Sequence, residues 1–126
     1  MDERKRHAKG MKVRRTVLGD AHVDRAEADK SGFTAPFQDL ITRYAWGEIW
    51  SRPELPRKTR CMITIAMLVA LNRSDELRMH LRAAANNGVS RKEIQEVLLQ
   101  TAVYCGVPAA NAAFHIAEEV FREARE

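Results

Sequence analysis

The chain has 126 residues, 45% hydrophobic and 30% charged, with only six glycines and four prolines, which suits one helical domain with one core better than a turn-rich sandwich. Cys61 and Cys105 lie too far apart for a CxxC pair, a zinc-ligand spacing or a disulfide framework, and the longest apolar run, Cys61 to Leu71, is too short to span a bilayer. The net charge of +4 is lopsided: residues 1–15 hold seven Lys/Arg against two acidic groups, and the remainder holds fourteen basic against fifteen acidic.

Residues 1–32 show no sustained periodicity. They read as a basic N-terminal arm, with one short helix ending near Gly10 and an extended stretch from Gly19 to Gly32; residues 33–126 read as the helical body. The charged opening, Met1-Asp-Glu-Arg-Lys-Arg-His, has no apolar stretch behind it, so no secretory signal is expected and the chain reads as cytoplasmic. An arm of this charge suits an anionic substrate, a neighbouring subunit, nucleic acid or simple solvation.

Thr34 is placed to cap the next helix, with Pro36 in its first turn and Phe37, Leu40, Ile41 and Tyr44 at helical spacing. That helix is expected to end near Trp50, before Pro53 and Pro56. Within it Trp46 and Glu48 fall off the apolar stripe, and Gly47 is a costly residue inside a helix. A glycine there points to the close approach of another backbone or of a ligand, and the two tryptophans suit subunit packing as well as they suit a pocket. A second helix, from about Arg57 to Leu71, is apolar nearly all round and reads as the central core helix.

A third helix follows Ser74 as N-cap and ends at Asn87-Gly88. At 100° per residue, Leu77, Leu81, Ala84 and Ala85 form its core stripe, while Glu76, His80, Ala83 and Asn87 lie on the border between core and surface. Glu76 and His80 are i, i+4 neighbours, a spacing at which the carboxylate can hold the imidazole in one tautomer and raise its pKa. A histidine so oriented is a candidate general acid. On pattern alone the plainer reading is stronger for both: Glu76 serving the helix dipole and His80 as an ordinary boundary histidine.

Ser90-Arg-Lys-Glu93 is a capping box, with Val89 and Ile94 as its hydrophobic staple. The helix it opens stops at Gly106, and a last helix runs from about Ala109 to Ala124. No segment reads as a strand, and the expected fold is all-α: a single-domain bundle of about five to six helices behind the arm. Ala84, Gly88 and Ile94 also have the spacing of a helix-turn-helix. Against that reading, Glu93 and Glu96 sit beside Arg91 and Lys92 on the would-be recognition helix, and the body of the chain is slightly acidic.

Several segments together resemble one family. Val13-Arg-Arg-Thr-Val-Leu-Gly-Asp-Ala-His-Val-Asp24, Phe37-Gln-Asp-Leu and Tyr44-Ala-Trp-Gly-Glu-Ile-Trp-Ser-Arg-Pro53 look like 4-carboxymuconolactone decarboxylases. So do Arg60 to Leu71, Glu76-Leu-Arg-Met-His80, Glu93-Ile-Gln-Glu96 and Tyr104-Cys-Gly-Val-Pro-Ala109. The resemblance covers roughly Gly10 to Glu119. Its C-terminal half is shared across the wider alkylhydroperoxidase D-like superfamily, whereas the first and third segments are more specific to the decarboxylases. The superfamily's peroxidase members carry a CxxC just before the histidine that His80 resembles, and here that stretch is Arg73-Ser-Asp-Glu76 without a cysteine. A thiol peroxidase or oxidoreductase is therefore the rival enzyme reading, and a nucleic-acid-binding module the rival outside enzymology.

The resemblance implies an alkylhydroperoxidase D-like fold, a ring-shaped homo-oligomer (hexamer or trimer), no metal and no cofactor. It implies loss of carbon dioxide from 4-carboxymuconolactone, a dicarboxylate lactone, to give the β-ketoadipate enol-lactone in protocatechuate breakdown. Neither nucleic acid nor membrane is an implied partner. His80 is the implied proton donor, oriented by Glu76 or Glu48. Arg14, Arg15 and His22 are implied contacts to the substrate's carboxylate and lactone groups, with Trp46 as a pocket wall. Arg60 serves the same end or forms an ion pair with Glu48.

Overall fold

The computed structural model describes residues 2–124. Every regular element among them is helical, and the chain divides into two compact units, Met1–Pro56 and Arg57–Glu126.

The first unit begins with α1, Glu3–Leu18, whose N-cap Asp2 accepts a hydrogen bond from the Lys5 amide at 2.8 Å. The expected arm is thus a 16-residue helix that runs straight through Gly10. Its buried positions, Gly10, Val13, Arg14, Val17 and Leu18, follow the i, i+3, i+4, i+7, i+8 spacing of one helix face. Hydropathy misses that face because two of its five members are glycine and arginine. Gly19, at φ 93, closes α1 and opens α2, Asp20–Ala28, so the stretch from Gly19 to Gly32 expected to be extended turns a corner at Gly19 and is then mostly helical. Arg15 spans this corner to Asp20 at 3.2 Å and Asp24 at 2.8 Å.

Helix α3, Ala35–Ile41, is entered from a turn in which the Thr34 amide donates to Ser31 Oγ, so Ser31 does the work expected of Thr34. It continues into a π-helix, Thr42–Ile49, whose wider turn is closed at its end by the Trp50 amide donating to the Ala45 carbonyl, an i→i+5 bond. The wider turn rotates the buried face. Of the predicted stripe, Phe37, Leu40 and Tyr44 are exposed and Ile41 is half-buried, while Thr42, Trp46 and Gly47 are buried. Helix α1 packs on this π-helix backbone to backbone. A Cβ on Gly10 would overlap the Thr42 carbonyl oxygen, and one on Gly47 would sit 2.6 Å from the Arg6 carbonyl oxygen. The residue that approaches Gly47 is therefore another backbone.

The second unit follows expectation more closely. Helix α4, Arg57–Ala70, buries Cys61, Ile65 and Val69 at i, i+4, i+8 and packs on its neighbours α5 (Ser74–Ala83), α6 (Arg91–Tyr104) and α7 (Val107–Glu123). Its apolar character all round has a different outcome from the one expected: Ile63, Met67 and Leu71 form a second, exposed stripe. Ser74 is the first residue of α5, and Arg73 takes the cap position without a side-chain bond. A short 3-10 turn, Ala84–Asn87, leads to Gly88 in the left-handed conformation. The capping box of α6 is present in both directions, Ser90 Oγ accepting from the Glu93 amide at 3.1 Å and Glu93 accepting from the Ser90 amide at 3.0 Å. Pro108 lies in the first turn of α7, which buries Ala110, Ala113, Ala117 and Val120.

Candidate active site

Helix α5 presents His80 from the same side as Leu77 and Leu81. The imidazole is only 7% exposed, beside Ala83 and Ala84 in the core, so the border position expected for it is an interior one. Burying a polar ring in a bundle costs free energy that ordinary packing would avoid with a leucine. Two ion pairs on the outer side fix the helix that carries it: Arg78 meets Glu119 at 2.7 Å, and Arg82 makes a two-pronged contact with Glu123 at 3.0 Å in each prong, both acids being on α7. That hydrogen bonding raises the Arg82 guanidinium pKa and lowers the Glu123 carboxyl. At the end of the turn the buried Asn87 amide donates to the Ala83 carbonyl at 2.9 Å. Glu76, one turn before His80, is exposed. Ala85, expected in the core, is exposed too. Arg60 is half-buried on α4.

In the first unit the candidates separate by partner. Arg14 is 5% exposed; its Nη2 donates to Gln38 Oε1 at 3.1 Å, and its Nη1 lies 3.8 Å from Glu27 Oε1. Burial lowers its pKa, an effect Glu27 opposes. Arg15 is engaged by two carboxylates, and hydrogen bonding to Asp24 and then Asp20 raises its pKa. Glu48 is exposed and meets Arg6 of its own unit at 3.2 Å, beside a polar recess of about 230 Å³ that also takes in Lys9 and Arg52. Trp46 is buried, its ring 5.2 Å from that of Trp50 at a tilt of 34°. His22 is half-buried on α2. Thus Arg14, Arg15, His22, Trp46 and Glu48 belong to one unit and Arg60, Glu76 and His80 to the other.

Gln38 and Glu27 were not legible as functional candidates, since each is an ordinary polar residue until α1 is known to turn Arg14 toward them. The buried-face spacing of α1 is the signal that would have pointed there.

Burial pushes the Cys61 thiol up to about 11, the wrong direction for a nucleophile, and no disulfide forms with Cys105. On α6, Arg91 lies 4.5 Å over the Phe121 ring and Glu93 is held by Lys58 at 2.6 Å. The would-be recognition helix thus sets Arg91 and Glu93 against groups of its own unit. Among the described residues no group of three or more His, Cys, Asp or Glu is arranged to hold a metal ion, and no helix is long and apolar enough to cross a membrane.

The profile of the carboxymuconolactone decarboxylase family matches residues 35–119. A 4-carboxymuconolactone decarboxylase of Acinetobacter baylyi is 53% identical over 123 residues, which is 98% of this chain and 92% of that protein. A nitrosuccinic acid decarboxylase of Metarhizium robertsii is 41% identical over 114 residues, 90% of this chain and 80% of that protein. A 48-residue 4-carboxymuconolactone decarboxylase sequence from Pseudomonas putida is 54% identical over its whole length, 38% of this chain.

Proposed function

The chain belongs to the carboxymuconolactone decarboxylase family, and from that premise we propose that it decarboxylates 4-carboxymuconolactone to the β-ketoadipate enol-lactone, in the breakdown of protocatechuate. The observation that carries this reading is identity of 53% to the Acinetobacter baylyi enzyme over 98% of the chain.

The reaction explains the kind of residues the enzyme needs. The leaving carboxylate sits on a carbon conjugated through a double bond to the lactone carbonyl. When the carbon–carboxylate bond breaks, its electron pair is taken up by the lactone oxygen, and a proton then returns to one carbon. The substrate is its own electron sink, so we propose cofactor-independent catalysis. The protein must grip the retained carboxylate, steady negative charge on the lactone, and deliver the proton. A nitrosuccinic acid is likewise a dicarboxylate with an electron-accepting substituent, so the reaction named for the Metarhizium relative asks for similar services, with the nitro group in the place of the lactone.

In this reading His80 donates the proton, with Glu76 or Glu48 as its orienting acid. Its burial supports the assignment, because a shielded imidazole delivers its proton to the bound carbanion and not to bulk water. Arg14 is the preferred carboxylate anchor, since Arg15 already has two carboxylates within ion-pair distance. His22 and Arg60 are further contacts to the lactone and carboxylate groups, and Trp46 a pocket wall.

The enzyme is proposed to act as a homo-oligomer, hexamer or trimer, in the cytoplasm and without a nucleic-acid partner. The exposed Ile63 and Met67 on α4 and Leu71 just after it, together with Leu99 and Val103 on α6, support self-association. Between these two helices runs a groove of about 520 Å³ floored by Met62, Ile63, Ala66 and Val97.

The test is loss of ultraviolet absorbance from synthetic 4-carboxymuconolactone, alongside nitrosuccinate and a thiol-dependent hydroperoxide assay, on protein whose oligomer state is read by sedimentation. Turnover of the lactone at the highest kcat/KM is expected. Preference for nitrosuccinate would reassign the substrate, and peroxide reduction abolished by Cys61→Ala or Cys105→Ala would revive the redox reading.

A further inference from the structure

We propose that the cleft between α6 and α7 is a binding site for a small aromatic carboxylate, with Arg91 taking the carboxylate and Phe114 and Phe121 enclosing the ring.

The cleft lies wholly within Arg57–Glu126. Its floor is Ile94, Leu98 and Ala117, all nearly inaccessible to solvent. Its walls are Phe114 and Phe121, both half-buried. These are the two phenylalanines of that unit, and both line this cleft. Arg91, Lys92 and Gln95 form its mouth on α6 and are exposed, so a solute can reach the interior.

Size selects the ligand. The cleft has a volume of about 270 Å³. A dry cavity of about 150 Å³ lined by aliphatic and aromatic side chains takes up benzene, whereas sites for drug-sized molecules begin near about 300 Å³. One ring with one small substituent fits, and a nucleotide does not. Over such a floor a ring also gains offset or edge contacts with the two phenylalanines.

The charge of the ligand follows from how Arg91 is held. Helix α7 meets the arginines of its two neighbours differently. Toward α5 it closes Arg78 with Glu119 at 2.7 Å and Arg82 with Glu123 at 3.0 Å. Toward α6 it offers Arg91 a ring instead: the guanidinium carbon sits 4.5 Å from the Phe121 centroid. Among the described residues no carboxylate is within ion-pair distance of Arg91 or Lys92. A cation–π contact holds the guanidinium by its face and leaves its edge N–H groups for an acceptor in the plane. A carboxylate matches that edge with two oxygens and supplies the absent charge. Glu118, the acid on the α7 side of the cleft, lies 3.7 Å from Arg122. Its repulsion directs an anion to the α6 side, where Arg91 stands.

The probe is 4-fluorobenzoate, followed by fluorine NMR on the intact chain. Saturable binding is expected, with a Kd on the order of 1 mM for so small a ligand. Two fragments divide the site: 4-fluorobenzyl alcohol, a ring without charge, and trifluoroacetate, a charge without a ring, should each bind about tenfold more weakly or worse. Arg91→Gln should weaken 4-fluorobenzoate about tenfold and leave 4-fluorobenzyl alcohol unchanged, a split that a merely structural arginine would not produce. Gln95→Trp, at an exposed position of the mouth, should block both ring compounds; it stands in if Arg91→Gln fails to fold. Lactone turnover should be unaffected in both variants, and succinate should not displace the probe, which separates this cleft from the proposed active site. No saturable binding by on the order of 10 mM probe, or folded variants of both kinds that bind as the parent does, would overturn the proposal. Displacement by succinate with unchanged affinity in Arg91→Gln would place the probe in the decarboxylase site and overturn it equally.

Discussion

In Arg57–Glu126 the buried positions of the helices are almost all apolar, with His80, Asn87 and Thr101 as the polar exceptions, and a left-handed Gly88 and a full capping box mark the passage from α5 to α6. In Met1–Pro56 the buried face of α1 includes a glycine and an arginine, its partner is a π-helix, and a chain of charges from Arg14 through Glu27 and Lys30 to Asp39 ties its helices together. The second unit is built by burying hydrocarbon, which is non-directional and forgiving. The first is built by close backbone approach and placed charge, which depend on a few atoms. One changed atom should therefore hurt the first unit's fold more than the second's, and the second unit's sensitive point should be its polar exception.

The largest effect tests that last statement. His80→Ala is expected to lower turnover on the order of 10²–10⁴-fold, the usual scale for a lost general acid, with the circular dichroism spectrum kept. Near-normal turnover would move proton transfer to His22 or Glu48, and an unfolded variant would make His80 structural. Next comes Gly10→Ala. Its new methyl would meet the Thr42 carbonyl, a backbone atom that cannot swing aside, so α1 must separate from the π-helix. A loss of about 1–3 kcal/mol or more is expected in denaturant unfolding, although alanine is the better helix former. A stabilised Gly10→Ala protein would show that the two backbones are not in contact.

Ser90→Ala, in the second unit, removes a single hydrogen bond from a box whose other half survives. A cost of about 1 kcal/mol is expected, well below that of Gly10→Ala. The smallest effect is on acid stability. Lys58, and then the Ser90 amide, hold the Glu93 carboxyl below its ordinary 4.5. A depressed folded pKa contributes stability that is whole above the unfolded value and is lost as pH falls through the folded one. Melting temperature should thus decline slightly as pH drops below about 4.5, and Glu93→Gln, which still suits the box, should flatten that part of the decline.

What the sequence determined follows the same division. The course of α4 to α7, the capping box, the left-handed Gly88 and the all-α class were legible, because those elements obey the 3.6-residue period and local capping chemistry. The family was legible from segments such as those around Arg14 and Trp46. Tertiary structure alone decided the rest. Helix α1 hid behind Gly10 and Arg14, which count as polar or neutral in any hydropathy scale yet occupy buried positions. Tyr44 faces outward and Trp46 inward, because the π-helix from Thr42 widens the turn and breaks the period on which the stripe was drawn, and Phe37 and Leu40 on α3 before it are exposed as well. The bond from Arg14 to Gln38 joins residues 24 positions apart; no local pattern encodes it, because what brings them together is the packing of helices from opposite ends of that stretch.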